Sequence, residues 1–102
     1  MQVQSKLYMD TLYLSISGEL DENSAGYVRC NMDEQLEFNN YKQIVIDLSK
    51  LEFMDSTGIG VLLGRYKKMH QRGIPIYISN PSKQADKIFR MSALYDIMPK
   101  IN

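Results

Sequence analysis

The feature that most limits the fold is a pair of short apolar runs on either side of a stretch with helical periodicity. The runs are QIVIDL at residues 43–48 and IPIYIS at residues 74–79. Continuous apolar runs of this length are typical of central strands. The stretch between them predicts a helix from about Thr57 to His70, because apolar residues recur at steps of three and four. The predicted apolar stripe consists of Ile59, Leu62, Leu63 and Tyr66.

The rest of the chain continues this alternation of strands and helices. Residues 11–17, TLYLSIS, predict a half-buried strand, and a shorter strand around Lys6–Met9 can pair with it as a hairpin. Two further helices are predicted, from Ser24 to Phe38 and from about Ser82 onward. The final run, YDIMPKIN, predicts a short closing strand. The pattern predicts an α/β fold, a single domain with a small mixed β-sheet flanked by helices.

Length, charge and cysteine content narrow the class of protein. The chain has 102 residues, the size of one domain, and its 12 basic and 12 acidic residues give no net charge. A nucleic-acid binder normally carries a basic excess, so no nucleic-acid partner is expected. Cys30 is the single cysteine, which excludes an internal disulfide and leaves no Cys/His cluster for a metal.

Neither a secretory signal nor a membrane span is expected. The first ten residues, MQVQSKLYMD, lack the apolar core of a signal peptide. No apolar run approaches the roughly 20 residues that cross a bilayer. We therefore expect a cytoplasmic protein without a membrane partner.

A cluster of small polar residues lies at the start of the predicted central helix. The cluster is Asp55-Ser56-Thr57-Gly58, and Gly60 adds a second glycine shortly after it. In α/β folds, functional groups gather where strands end and helices begin. Three interpretations compete for this junction: a catalytic serine, a phosphate-binding loop and a serine that is covalently modified.

A catalytic serine is excluded by spacing and distance. The serine elbow of α/β-hydrolases requires Gly-x-Ser-x-Gly, whereas Met54 occupies the first glycine position here. A hydrolytic triad also needs a histidine beside the serine. His70 is the only histidine, and at ~1.5 Å per helical residue it lies about 20 Å from Ser56.

A phosphate-binding loop is only weakly indicated. Gly58, Gly60 and Gly64 approximate the Gly-x-Gly-x-x-Gly pattern, but the third glycine comes one residue late. The acidic residue expected about 20 positions later is absent from residues 72–80. A small nucleotide-binding or nucleotide-hydrolysing enzyme stays open as a minor alternative, and no cofactor is expected.

A modified serine fits the chemistry of the junction best. One helix cap needs one hydroxyl, so either Ser56 or Thr57 can cap while the other points outward. A phosphate on Ser56 would meet free amides and the positive end of the helix, so the fold would tolerate it. It would also add up to two negative charges beside Asp55 and repel a docked partner. Gly58 and Gly60 weaken a helix and suggest that something approaches the backbone closely.

Two runs, IVIDLSKLEFMDSTGIGVLLGRYKK and SGELDENSA, resemble the anti-sigma-factor antagonists of the STAS domain family, most of all the sporulation type. The resemblance spans nearly the whole chain and implies a protein that binds rather than catalyses. It implies two partners, an anti-sigma factor with serine kinase activity and a metal-dependent serine phosphatase. The unphosphorylated protein would bind the anti-sigma factor and release the sigma factor, and phosphorylation would end that binding until the phosphatase resets it.

The resemblance also implies roles for individual residues. Ser56 matches the phosphate acceptor, and Thr57 matches the neighbouring position, whose expected role is the helix cap. Glu19 and Asp21 match an acidic pair that lies near the acceptor and contacts the kinase. The two glycines of the junction match positions where a side chain would obstruct docking. The predicted partner-binding site consists of Glu19, Asp21, Asp55, Ser56, Thr57, Gly58 and Gly60.

Three further expectations complete the interpretation. Arg65, Lys67 and Lys68 are interpreted as a solvated basic face in the C-terminal half of the central helix. A STAS scaffold or a general-stress antagonist, with the same switch and a different kinase partner, is the alternative function. Relatives usually continue into another helix after the last strand, so we expect residues 1–102 to form a STAS domain that lacks it.

Overall fold

Strands and helices alternate along the chain as predicted, with one additional strand. The computed structural model describes residues 2–37 and 39–102. The strands are Gln2–Tyr8 (β1), Thr11–Leu20 (β2), Gln43–Asp47 (β3), Leu51–Met54 (β4) and Ile76–Ser79 (β5). The helices are Ala25–Glu37 (α1), Ser56–Gln71 (α2) and Lys83–Met91 (α3), followed by a 3₁₀ turn at Leu94–Asp96. The predicted α/β class is confirmed, whereas Phe38, the predicted end of the first helix, lies outside the described residues.

The sheet is mixed, as predicted. β1 and β2 form an antiparallel hairpin, and β2, β3 and β5 are parallel, in the order β1-β2-β3-β5. β1 is longer than the predicted Lys6–Met9, because it pairs with β2 from Gln2 onward. Its polar sequence QVQSK carries little apolar periodicity, so main-chain pairing with β2, rather than burial, determines its length.

β4 is the strand that the sequence did not predict. It has only four residues, LEFM, of which the middle two are exposed, too short a pattern to distinguish from a loop. It pairs in parallel with the last part of β2, where a bulge lies between Gly18 and Glu19. Gly18 has φ +98°, a conformation that glycine adopts without strain. β2 therefore pairs with β3 up to Ser15 and with β4 from Gly18 onward.

One continuous core joins one face of the sheet to all three helices. Leu12, Leu14 and Ile16 of β2 are fully buried on this face, which confirms the predicted half-buried strand. The predicted stripe of α2 is only partly right. Leu62 is buried as expected, but the other three predicted members, Ile59, Leu63 and Tyr66, are only half-buried. The side of α2 that faces inward carries Gly58, Val61, Leu62, Arg65 and Met69.

The end of α2 and the start of α3 follow the predicted signals. Gly73, with φ +71°, follows α2 and donates its amide to His70 O. The Ser82 hydroxyl accepts the Ala85 amide at 3.1 Å and caps α3. The final residues form the 3₁₀ turn and a single parallel bridge between Lys100 and Ile78, which is less than the predicted closing strand.

Asp86 ties this C-terminal segment to α3. Its carboxylate accepts bonds from Tyr95 Oη at 2.6 Å, Arg90 Nε at 2.8 Å and Lys100 Nζ at 3.3 Å. These bonds, that of Tyr95 foremost, hold the pKa of Asp86 well below its usual range. The segment 99–102 is thereby held along β5, where Ile78 N donates to Pro99 O.

Gln84 of α3 closes the outer edge of β4. Its Nε2 donates to Met54 O at 2.6 Å, and its Oε1 accepts from Met54 N at 3.1 Å. The amide side chain thus replaces a neighbouring strand at the last residue of β4. This contact connects α3 directly to the residue that precedes Asp55.

We expect Gln84→Met to lower the free energy of unfolding by about 1–2 kcal/mol, because two hydrogen bonds to a strand edge are lost. Hydrogen exchange of the Met54 amide should accelerate at the same time. Gln71→Met, at an exposed glutamine at the end of α2, is the matched control and should change neither quantity. Unchanged exchange at Met54 in Gln84→Met would contradict this role.

Candidate partner-binding site

The site is built where two parallel strands end side by side. Leu20 is the last residue of β2 and Met54 the last residue of β4, and the two are paired and fully buried. The Asp55 amide donates to Leu20 O at 3.3 Å and continues the ladder by one residue. The segments that follow the two strands therefore start next to each other. Glu19 and Asp21 lie on either side of Leu20, so the backbone of the predicted acidic pair runs beside residues 53–55, which lead into α2.

Asp55 caps α2, which corrects the prediction that Ser56 or Thr57 does so. Its Oδ1 accepts from Thr57 N at 2.9 Å and from Gly58 N at 3.4 Å. Asp55 has extended backbone angles, φ −111° and ψ −170°, and stands one position before the first helical residue. The predicted helix start at Thr57 was one residue late, which shifted the expected cap from the carboxylate to a hydroxyl.

Ser56 is therefore available for another role. It is the first residue of α2 and is exposed, as is Thr57. Because Asp55 supplies the capping oxygen, neither hydroxyl is needed to satisfy the helix start. The Asp55 carboxylate also offsets part of the positive end of the helix. A phosphate on Ser56 would add its charge beside this carboxylate, and that charge would remain displayed on the surface.

Asp21 has a structural role in the turn that leads into α1. Its Oδ1 accepts from Asn23 N at 2.9 Å and from Ser24 N at 3.1 Å. The Ser24 hydroxyl in turn donates to Glu19 O at 2.6 Å. The Asp21 side chain is thus partly committed to the fold, whereas the Glu19 side chain is exposed. Each of the two neighbouring strands ends in an apolar residue followed by an aspartate that binds amides of the next segment.

The two glycines of the junction differ in their surroundings. A Cβ at Gly58 would overlap Met54 Cγ and would lie 3.0 Å from Leu20 Cγ, a tight contact from which Leu20 would have to move slightly. The close approach that the sequence suggested is thus made, at Gly58, by the chain's own strand ends. A Cβ at Gly60 would have nothing within 4 Å, and Gly60 is exposed. Of these two glycines, Gly60 is the one that leaves open space on the surface.

Arg65 is buried, so its prediction as part of a solvated basic face was wrong. Its Nε lies 3.0 Å from Asp33 Oδ1 on α1, and its Nε and Nη1 make no hydrogen bond to any residue that the structure describes. The pairing is therefore ionic, and burial lowers the pKa of Arg65. Lys68 also pairs with Asp33, at 3.2 Å, and remains exposed like Lys67. Helical spacing from Leu62 was the signal for the burial of Arg65.

The histidine that a serine hydrolase would need beside its serine lies near the far end of α2 from Ser56. α2 is one continuous helix, and His70 is exposed near its far end, stacked on Tyr66 with ring centroids 5.3 Å apart. Among residues 2–37 and 39–102, no group of three His, Cys, Asp or Glu side chains is placed to hold a metal ion. No helix of the described part of the chain is long and apolar enough to cross a membrane.

Comparison with known proteins identifies the family to which this fold belongs. The STAS domain model matches residues 2–102. The chain belongs to the STAS domain family. The anti-sigma F factor antagonist of Paenibacillus polymyxa is 36% identical over 99 residues, which cover 97% of this chain and 85% of that protein. The anti-sigma-B factor antagonist of Listeria monocytogenes is 32% identical over 92 residues, which cover 87% of this chain and 77% of that protein.

Two solved structures of one relative share the fold of this STAS domain. The anti-sigma factor antagonist SpoIIAA in its unphosphorylated form has a TM-score of 0.80 at 25% identity, covering 99% of this chain and 89% of its own. The Bacillus cell fate determinant SpoIIAA in the phosphorylated form has a TM-score of 0.73 at 25% identity, covering 99% and 92%. The resemblance drawn from the sequence is confirmed, and in SpoIIAA this fold occurs both with and without phosphorylation.

We expect opposite effects when alanine replaces the two glycines. Gly58→Ala should lower the free energy of unfolding by about 1–3 kcal/mol, because the added methyl group overlaps Met54 and Leu20. Gly60→Ala should raise it by about 0.5–1 kcal/mol, because alanine favours the helix and meets no neighbour. Chemical denaturation of both variants tests this directly. Equal destabilisation by the two substitutions would contradict the assignment of Gly58 to internal packing.

Proposed function

We propose that this STAS domain is an anti-sigma-factor antagonist that is switched by phosphorylation of Ser56. The observation that carries the proposal is the exposed Ser56 hydroxyl at the first position of α2, released from capping by Asp55. Its environment supports modification without unfolding, since it makes no part of the core. The relatives from Paenibacillus polymyxa and Listeria monocytogenes are both named as antagonists, which points to the same function.

The proposed cycle uses the chain as binder and substrate rather than as an enzyme. The unphosphorylated form binds an anti-sigma factor with serine kinase activity and releases the sigma factor. The kinase transfers a phosphoryl group to Ser56, and the added charge beside Asp55 weakens the complex. A metal-dependent serine phosphatase removes the phosphate and restores binding. This cycle places the protein in the cytoplasm, where the transcription machinery is.

The contact surface surrounds the two strand ends. Glu19, Ser56, Thr57 and Gly60 present exposed atoms to the partner. Asp21, Asp55 and Gly58 shape that surface from beneath, the aspartates through the turns that they bind and the glycine through its contact with Leu20 and Met54. Gly60 provides the clearance that allows the partner to reach the Ser56 hydroxyl.

A second candidate keeps the switch and changes the partner. This alternative is a STAS scaffold or a general-stress antagonist with a different kinase partner. The 32% identity to an anti-sigma-B factor antagonist favours a different anti-sigma factor. Co-purification of the tagged protein from its native cells separates the two candidates, because each predicts a different associated kinase.

Incubation with the anti-sigma factor kinase of the same organism and ATP tests the acceptor. We expect intact-mass measurement to show a gain of one phosphate, which Ser56→Ala abolishes. Thr57→Ala is the matched control and should still be modified, since Thr57 is equally exposed and lies one residue away. No gain, or a gain that persists in Ser56→Ala, would refute phosphorylation at Ser56.

Ser56→Asp tests the charge mechanism separately. We expect the variant to fold with nearly unchanged stability, because a carboxylate is favourable in the first turn of a helix. Its affinity for the kinase should nevertheless fall at least about tenfold, because docking would remove water from the added carboxylate without pairing it. Ser5→Asp adds the same charge on exposed β1 and should bind normally. Tight binding by a folded Ser56→Asp protein would contradict this charge mechanism.

A further inference from the structure

The side of the sheet that faces away from the three helices carries a row of aromatic residues. Side chains alternate along each strand, so every second residue points away from the helical core, on a side that we call the open face. Pairing of the four strands aligns one row across this face, Lys6, Tyr13, Val45 and Tyr77. The next row consists of Gln4, Ser15, Asp47 and Ser79.

The aromatic row presents a contiguous apolar surface. Tyr13 is 41% exposed and Tyr77 is half-buried. Val45, which lies between them, is only 6% exposed although it lies outside the core that joins the sheet to the helices. The two tyrosines therefore shield it. Tyr8, 57% exposed, extends this surface towards the hairpin turn. Contiguous exposed apolar surface of this kind is typical of interaction sites.

One charge of each sign flanks Tyr13 on the open face. Lys6 and Asp47 line the same depression, and the register separates them by two strands and two residues, about 12 Å. Neither charge takes part in an ion pair within the described ranges of the chain. Nucleic acid or an anionic membrane would require a basic excess, which this face lacks. The arrangement matches a surface with the same two charges in reverse order.

We propose that the open face binds the open face of a second copy of this chain about a twofold axis. In the register, Leu14 lies midway between Lys6 and Asp47. An axis between the two faces that crosses the line from Lys6 to Asp47 at Leu14 brings Lys6 of each copy opposite Asp47 of the other. The same rotation places Tyr13 beside Val45 of the other copy. The face is thus complementary to itself, as a twofold interface requires.

The size of the open face makes this association weak and reversible. Four strands about 4.8 Å apart, each contributing about five residues of about 3.3 Å, give a flat area of about 300 Å² per copy. Stable dimers bury about 800 Å² per partner, so we expect a transient dimer that forms at high concentration. Ser56 lies outside the contact, because Leu20, which precedes the junction, is six residues or about 20 Å along β2 from Leu14.

Sedimentation velocity at rising concentration, up to the millimolar range, tests the charge pairing. We expect Lys6→Glu and Asp47→Lys each to weaken self-association at least about tenfold, because each creates two like-charge pairs across the axis. An equimolar mixture of the two variants should associate as the unaltered protein does, since both ion pairs form again with reversed signs. Lys67→Glu makes the same charge change on exposed α2 and should leave association unchanged. Melting curves establish that each variant is folded.

A second pair of variants tests the apolar part of the contact. Tyr13→Ala should weaken association about tenfold, as truncation of an aromatic anchor does. Tyr27→Ala, at a tyrosine of α1 that is 54% exposed, is the matched control and should associate normally. Ser56→Asp should also associate normally, which makes this test independent of the proposed phosphorylation.

Three outcomes would overturn the proposal. The first is an unaltered protein that stays monomeric at every concentration. The second is a mixture of folded Lys6→Glu and Asp47→Lys that associates no better than either variant alone. The third is association that Ser56→Asp abolishes and Tyr13→Ala leaves intact, because the contact would then lie at the Ser56 junction. None of these outcomes bears on whether Ser56 is phosphorylated.

Discussion

The parallel pairing of Leu20 with Met54 is the contact on which the site depends. Both residues are fully buried, and the ladder continues to Asp55 through its bond to Leu20 O. Since parallel strands end at the same edge of a sheet, the segments after β2 and β4 must start together. Gly58 can approach these strand ends only because it lacks a side chain. The position of Ser56 on the surface follows from this packing beneath it.

Two aspartates bind the main chain where the two strands end. Asp21 and Asp55 each accept two amide bonds immediately after a strand, which directs the chain into the following turn or helix. Their negative charge is therefore present before any modification. A phosphate on Ser56 would add to existing charge of the same sign, so a small covalent change would produce a large change in local potential. The helix start would tolerate this charge.

In the described part of the chain, side chains and residues 99–102 form hydrogen bonds to the outer strands of the sheet. Gln84 binds the edge of β4, and Gln35 Nε2 donates to Val3 O of β1 at 2.8 Å. At the other edge, residues 99–102 lie along β5 and are held through Asp86. Covering edges in this way limits pairing with other chains.

The sequence alone determined the alternation of strands and helices, the hairpin and the mixed sheet, because these follow from local periodicity and turn residues. It also singled out Ser56, and its resemblance to STAS antagonists placed Glu19 and Asp21 near it. A one-residue error in the predicted start of α2 hid its cap by Asp55. Tertiary structure alone decided that Arg65 pairs with Asp33 and that Gly58 serves internal packing. β4 is too short to show a period. The contact of Gln84 with Met54 joins residues that are 30 positions apart. The physical reason is that periodicity reports one helix or strand at a time, whereas these features arise only where two elements meet.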